Sequence, residues 1–338
     1  MNVSTIVRGG SVALALVAGL AGCAGSQAAS ALPPQGTGQI PPSAAGYSAQ
    51  PDHTMTIFTA NRDNPAVLGF RVAASGNARP IIRIAGSNTT LNSPDSIAFD
   101  KSGNVYVAND GANQVAVFAK GANGNVKPTR MIGGSKSHLG PTEGLLVDPF
   151  GNLWASDYAN DAITDYPPGA HGNVPPADTI SGSKTQLSTP TGMVWNASGS
   201  PALLYVANTG GASVVGFGAG AAGNTAPAVS IAGSNTGLSR PFALTIDSTG
   251  RLIVADEGAG VLIFSPGANG NVAPVAHITG LAYPAGVVTD AQDHIYVANF
   301  SGESIEEFAS NANGNATPLR TIRGRKTTLK GPNYLVLR

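Results

Sequence analysis

One unit recurs six times along this chain, and that recurrence constrains the fold more than any other feature. Aligned on Pro94, Pro141, Pro190, Pro241, Pro284 and Pro332, the copies lie 47, 49, 51, 43 and 48 residues apart by subtraction. Each prolyl start leads into a short apolar strand that ends in a turn, as in Ile97-Ala-Phe-Asp100, Leu145-Leu-Val-Asp148 and Leu244-Thr-Ile-Asp247. A second strand follows: Val105-Tyr-Val-Ala-Asn109, Leu153-Trp-Ala-Ser-Asp157, Leu204-Tyr-Val-Ala-Asn208, Leu252-Ile-Val-Ala-Asp256 and Ile295-Tyr-Val-Ala-Asn299. A third strand, such as Val115-Ala-Val-Phe118 or Val261-Leu-Ile-Phe264, runs into a Gly-Ala-Asn-Gly-Asn turn at 121–125, repeated at 267–271. A fourth strand, such as Thr129-Arg-Met-Ile132, completes the unit. Four strands in about 40–50 residues is the unit of a propeller blade.

The ends of the chain fix the blade count. Met55-Thr-Ile-Phe-Thr-Ala-Asn61 is a second strand with no first strand before it, and Pro332-Asn-Tyr-Leu-Val-Leu-Arg338 is a first strand with no successor. Pairing the two closes a ring of six blades and hides both sheet edges, which would otherwise invite aggregation. The expected fold is therefore all-β: a six-bladed β-propeller of four-stranded antiparallel blades, closed by the C-terminal strand pairing with the first blade.

Composition agrees with this and excludes several alternatives. Of 338 residues, 44 are Gly and 24 are Pro, which suits many tight turns. Charged residues are only 11%, with 19 basic and 19 acidic side chains in balance, so no basic face is available for nucleic acid. A hydrophobic content of 42% is too high for a solvated, disordered chain.

The first 22 residues carry one charge, Arg8, followed by the apolar stretch Ser11–Leu20, too short for a permanent membrane span. They end in Leu20-Ala21-Gly22-Cys23, and Cys23 is the only cysteine. This tetrapeptide resembles the lipobox of bacterial lipoproteins, which implies a signal peptide over 1–22 and lipidation of Cys23. Ala24 in place of Asp implies sorting to the outer membrane of a Gram-negative envelope. From 23 to 52 the chain is Ala, Gly, Ser, Gln and Pro without apolar periodicity, a tether spanning about 30 Å. The propeller is expected over 53–338.

The blade motifs resemble NHL repeats and the wider class of TolB-like propellers, on the strength of Pro-x-x-Ile-Ala-Phe-Asp-x-x-Gly-Asn-Val-Tyr-Val-Ala-Asn at 94–109 and its echoes. The basic residue usual in the third strand of NHL repeats is replaced by Gln114, Ala162 or Ser213.

Chemistry is expected where the repeat breaks down. Asn61, Asn109, Asp157, Asn208, Asp256 and Asn299 end the second strand of every blade and read as turn caps. Five residues before each turn Asp lies the channel mouth, where the residues diverge: Asp95, Glu143, Thr191, Phe242 and Ala285, with Asn333 in the closing strand. Asn333, Asp95 and Glu143 come from consecutive blades, with Asn109 and Asp157 beside them. Such oxygen ligands suit Ca²⁺ or Mg²⁺. The arrangement is similar to gluconolactonase and regucalcin-like propellers, which implies a divalent-metal hydrolase or lyase. Phe242, Tyr283 and Tyr334 suggest an apolar lip. The five histidines lack metal-ligand spacing, and no G-x-S-x-G, P-loop or dinucleotide motif occurs. With blades this regular and catalytic motifs this sparse, the favoured reading is a membrane-anchored envelope module that binds a protein or small molecule at the mouth.

Overall fold

The computed structural model describes residues 55–338, apart from Ser198 and Ser200. The signal peptide over 1–22, Cys23, the tether to residue 52 and the first two residues assigned to the propeller lie outside the described residues. Among those described there is no α-helix; the backbone forms six four-stranded antiparallel sheets and four short 3₁₀ turns.

The innermost strands of blades 1 to 6 are Pro332–Leu337, Pro94–Phe99, Thr142–Val147, Pro190–Asn196, Pro241–Ile246 and Pro284–Thr289. Each pairs with a second strand; in blade 1 that partner is Thr56–Asn61, so the two ends of the propeller share one sheet. Thr56 and Arg338 exchange backbone hydrogen bonds at 2.6 and 2.9 Å. The ring thus closes as the unmatched end strands require. Blade 3 shows one difference. Thr142, not Pro141, faces the capping Asp157 where Pro94 faces Asn109, so alignment on proline slips by one residue there. Proline suits this position because it opens the strand, where its missing N–H breaks little of the ladder.

The second strands of blades 2 to 6 are buried along their whole length, and that of blade 1 at all but Phe58, because each blade is covered on both faces by its neighbours. The apolar core accordingly falls into six clusters, one per seam between adjacent blades. Ile57, Leu68 and Phe70 of blade 1, for instance, pack on Tyr296, Ala298 and Ile305 of blade 6. A fully buried side chain of this size contributes roughly 1.5–3 kcal/mol relative to its exposed state. A single blade is apolar on both faces and buries them only against its neighbours in the ring.

The Gly-Ala-Asn-Gly-Asn segments are more than hairpin turns. The second Gly forms a parallel bridge to the outer-strand Ile of the preceding blade at every seam, Ile84 to Gly124 and Ile322 to Gly76 among them. The Asn after it reaches farther: Asn125 Oδ1 accepts the Asn88 N–H at 2.7 Å, and Asn173, Asn224, Asn271 and Asn77 repeat the contact at the same distance. The receiving loop needs glycine. Gly86 has φ of 121°, and a Cβ there would stand 2.6 Å from the Asn125 side chain.

Candidate functional site

Two rings of side chains surround the mouth of the central channel. The first holds the second residue of each innermost strand: Asn333, Asp95, Glu143, Thr191, Phe242 and Ala285. The second holds the residue directly after the capping Asn or Asp of each second strand: Arg62, Asp110, Tyr158, Thr209, Glu257 and Phe300. Between them the rings carry a different chemistry on every blade.

The capping positions themselves are occupied with holding loops. Asn109 Oδ1 accepts the Asn92 N–H at 2.6 Å and its Nδ2 donates to Thr90 O at 3.0 Å, fixing the loop that feeds the innermost strand. Asp157 does the same for Gly140 and also takes Nδ2 of Asn160 at 2.6 Å. Local side-chain-to-backbone bonding of this kind is what short polar residues do at turns.

Asp95 and Asn333 are fully buried and adjacent, with Asn333 Nδ2 donating to Asp95 Oδ1 at 2.5 Å. The other oxygen of Asp95 pairs with Arg62 Nη1, and Arg62 Nη2 bonds Asp110 Oδ2 at 3.1 Å. Two acceptors in this group have no partner, Asp110 Oδ1 and Asn333 Oδ1. Glu143, half-buried on the neighbouring blade, makes no hydrogen bond or ion pair among the described residues. Burial, and then the negative charge of Asp95, push its carboxyl up to about 8. Burial raises Asp95 to about 7 against the pull of Arg62. Three carboxyls thus share one guanidinium, and the site is short of positive charge. Tyr158 lies in the same field: burial first, then the charges of Asp110 and Glu143, raise its hydroxyl.

Farther round the ring, Arg240 bridges Glu257 at 2.9 Å and donates to the Tyr283 hydroxyl at 3.2 Å. Tyr283 packs on Phe300 with ring centroids 5.8 Å apart. Thr191 and Thr209 face each other at 3.0 Å, and Thr209 Oγ1 donates to Pro241 O at 2.5 Å.

The expected apolar lip is divided differently. Phe242 and Tyr334 are buried and pack together, their centroids 5.3 Å apart, while Tyr283 remains on the rim with Arg240. The reason lies one residue deeper in the innermost strands, at Ser96, Gly144, Gly192, Ala243, Gly286 and Tyr334. Five small residues leave the axis open and one tyrosine fills it. A Cβ on Gly286 would lie 2.9 Å from the Tyr334 Cα, and one on Gly192 would lie 3.3 Å from its Cε1. Below the mouth the channel is plugged.

Asp95, Glu143 and Asn333 therefore do meet on one arc, as their strand positions imply, with Asn109 and Asp157 turned to loop contacts. As a cage for Ca²⁺ or Mg²⁺ the arc fits poorly, because the Arg62 guanidinium already sits between Asp95 and Asp110. No group of three or more His, Cys, Asp or Glu among the described residues is placed to hold a metal ion. A shallow surface cleft between blades 4 and 5, lined by Tyr205, Ile246 and Leu252, opens at the opposite ends of the strands from the mouth.

No protein-family model matches the chain, and no curated protein matches its sequence. Among solved structures it is similar to a chain of the nidogen/laminin complex, at 16% identity and a TM-score of 0.60, over 84% of this chain and 98% of that one. It is also similar to two Bacteroides proteins provisionally named 6-phosphogluconolactonase. For the one from Bacteroides uniformis the identity is 14% and the TM-score 0.57, over 84% of this chain and 85% of that one. For the one from Bacteroides fragilis they are 18% and 0.55, over 88% and 85%. Likeness at these identities carries the fold alone.

Proposed function

We propose that this chain is a binding module of the bacterial cell envelope, lipid-anchored at Cys23 and engaging its ligand or protein partner at the channel mouth. The observation that carries this reading is the contrast between the two ends of the blades. Away from the mouth the chain repeats itself, with Asp100, Asp148, Asp247 and Asp290 each accepting backbone N–H groups of its own turn. At the mouth no two blades match, and partly buried polar groups stand without partners. Structural residues recur because every blade needs them, whereas a recognition surface must be particular. The likeness to NHL and TolB-like repeats supports the same reading, as does a tether long enough to hold the propeller clear of an outer membrane. Balanced charge leaves nucleic acid out.

The metal-dependent hydrolase or lyase is the weaker reading, since Arg62 supplies the positive charge that a divalent ion would bring. A photo-reactive residue installed at Tyr158 tests the binding module in the producing cells, with the exposed Phe150 on the opposite face as control. A discrete adduct from position 158, missing from 150, is expected. Identical adducts from both positions, or none from either, would overturn the proposal.

A further inference from the structure

Two buried acceptors at the mouth lack donors, Asp110 Oδ1 and Asn333 Oδ1, and the half-buried Glu143 carboxyl near them makes no hydrogen bond among the described residues. Asn333 is only 2% exposed, and its amide nitrogen is committed to Asp95 at 2.5 Å. Its oxygen, on the same amide, is left without a donor. Buried acceptors left unsatisfied cost about 1–3 kcal/mol each, so a donor that reaches them would stabilise the mouth.

The charge count points the same way. Asp95, Asp110 and Glu143 share Arg62, and Glu257, although paired with Arg240, adds to the negative field at Glu143. The site already shows what it accepts, because Arg62 is itself a guanidinium lodged between two carboxylates. Fork-shaped donors match carboxylate pairs, and an aromatic face beside them adds cation–π attraction. Tyr158 supplies an aromatic ring in the same field.

We propose that the arc of the mouth between Glu143, Asp110 and Asn333 receives a positively charged nitrogen group, an ammonium or guanidinium, on the molecule that this propeller binds. This rests on the binding-module reading and adds the chemical class of what is bound. A free amine and the Lys or Arg side chain of a partner protein share that chemistry.

The test uses the full chain in detergent micelles, labelled with 3-fluorotyrosine, with the Tyr158 signal identified through Tyr158→Phe. Methylguanidinium and n-butylammonium are expected to shift that signal saturably, while n-butanol and acetate leave it in place. Glu143→Gln, which keeps the shape and removes the carboxylate that a bound cation would hold ionised, is expected to weaken the cations by about tenfold, the effect of losing one charge-assisted hydrogen bond. Asp165→Asn, an acid outside the mouth, is expected to leave them unchanged. A blocked Ala-Arg-Ala peptide binding more tightly than methylguanidinium assigns the cation to a partner protein, and equal or weaker binding assigns it to a small amine. Cations that fail to titrate, or that bind Glu143→Gln as tightly as the parent, overturn the inference. A shift with butanol or acetate but no cation overturns it and leaves the binding module standing, while loss of the position-158 adduct removes that module.

Discussion

Asn333 and Asp95 stand 238 positions apart in the chain and share a side-chain hydrogen bond of 2.5 Å. The bond joins the closing strand of blade 1 to the innermost strand of blade 2, so ring closure and the chemistry of the mouth depend on one contact. Asn333→Ala removes a donor from a buried carboxylate, at a cost of about 1–3 kcal/mol. Asn333→Asp replaces the donor with another acid and is expected to cost more at pH 8 than at pH 5. Thermal unfolding at the two pH values checks both. An alanine variant that melts with the parent would separate the mouth from the closure.

Asp165 of blade 3 is buried, its Oδ1 has no partner, and it faces Asp178 across the sheet. Burial first, then the charges of Asp148 and Asp178, push it up to about 7. Because this is above the ordinary value of about 3.9, the folded state holds the proton over a range in which the unfolded chain has lost it. Stability contributed by this group therefore falls as pH rises from about 4 to 7 and levels off above. Asp165→Asn is expected to melt higher than the parent at pH 8 and alongside it near pH 4. Equal melting at both pH values would show that the carboxyl is not strained.

Five of the six seams are latched by an Asn in a glycine cradle, and Gly86 with Asn125 allows the latch to be measured. Asn125→Ala loses one hydrogen bond to the partly hydrated Asn88 N–H, about 0.5–1.5 kcal/mol. Gly86→Ala costs more, because its positive φ disfavours a side chain and the new Cβ meets Asn125. Part of that second penalty disappears once Asn125 is shortened, so the double variant is expected to be milder than the two losses combined. Urea denaturation of the four proteins gives the coupling; strict additivity would mean that the two residues do not meet.

What the sequence disclosed and what it concealed divide along local and non-local lines. The blades were legible because strand, turn and cap chemistry all lie within 16 consecutive residues, Pro94 to Asn109. The meeting of Asp95, Glu143 and Asn333 followed from counting along those strands. Arg62, Asp110 and Tyr158 are inconspicuous in the sequence because each directly follows a capping Asn or Asp and so looks like part of a turn. The available signal was that this position differs in all six blades while its neighbour stays Asn or Asp. The latch is inconspicuous for another reason: a Gly-Asn pair explains itself as a hairpin, and its true partner lies 37 residues upstream on another blade.

Tyr334 shows how much the axis of the ring depends on one large side chain among small ones. Its ring packs on Phe242, its hydroxyl donates to Phe242 O at 3.3 Å, and Gly192 and Gly286 make the space it fills. Tyr334→Phe keeps the volume and gives up only that long hydrogen bond, so a loss of about 0.5–1.5 kcal/mol is expected. Tyr334→Ala empties the axis, and aromatic-to-alanine changes in packed cores cost about 3–5 kcal/mol. Tyr334 directly follows Asn333 in the innermost strand, so water entering the emptied axis would hydrate Asn333 Oδ1 and the buried Asp95 carboxylate bonded to it. The alanine variant is thus expected to bring Asp95 back toward ordinary acidity, visible as a flatter dependence of melting temperature on pH than in the phenylalanine variant. Two variants with the same stability and the same pH slope would mean that the tyrosine merely lines the channel instead of sealing it.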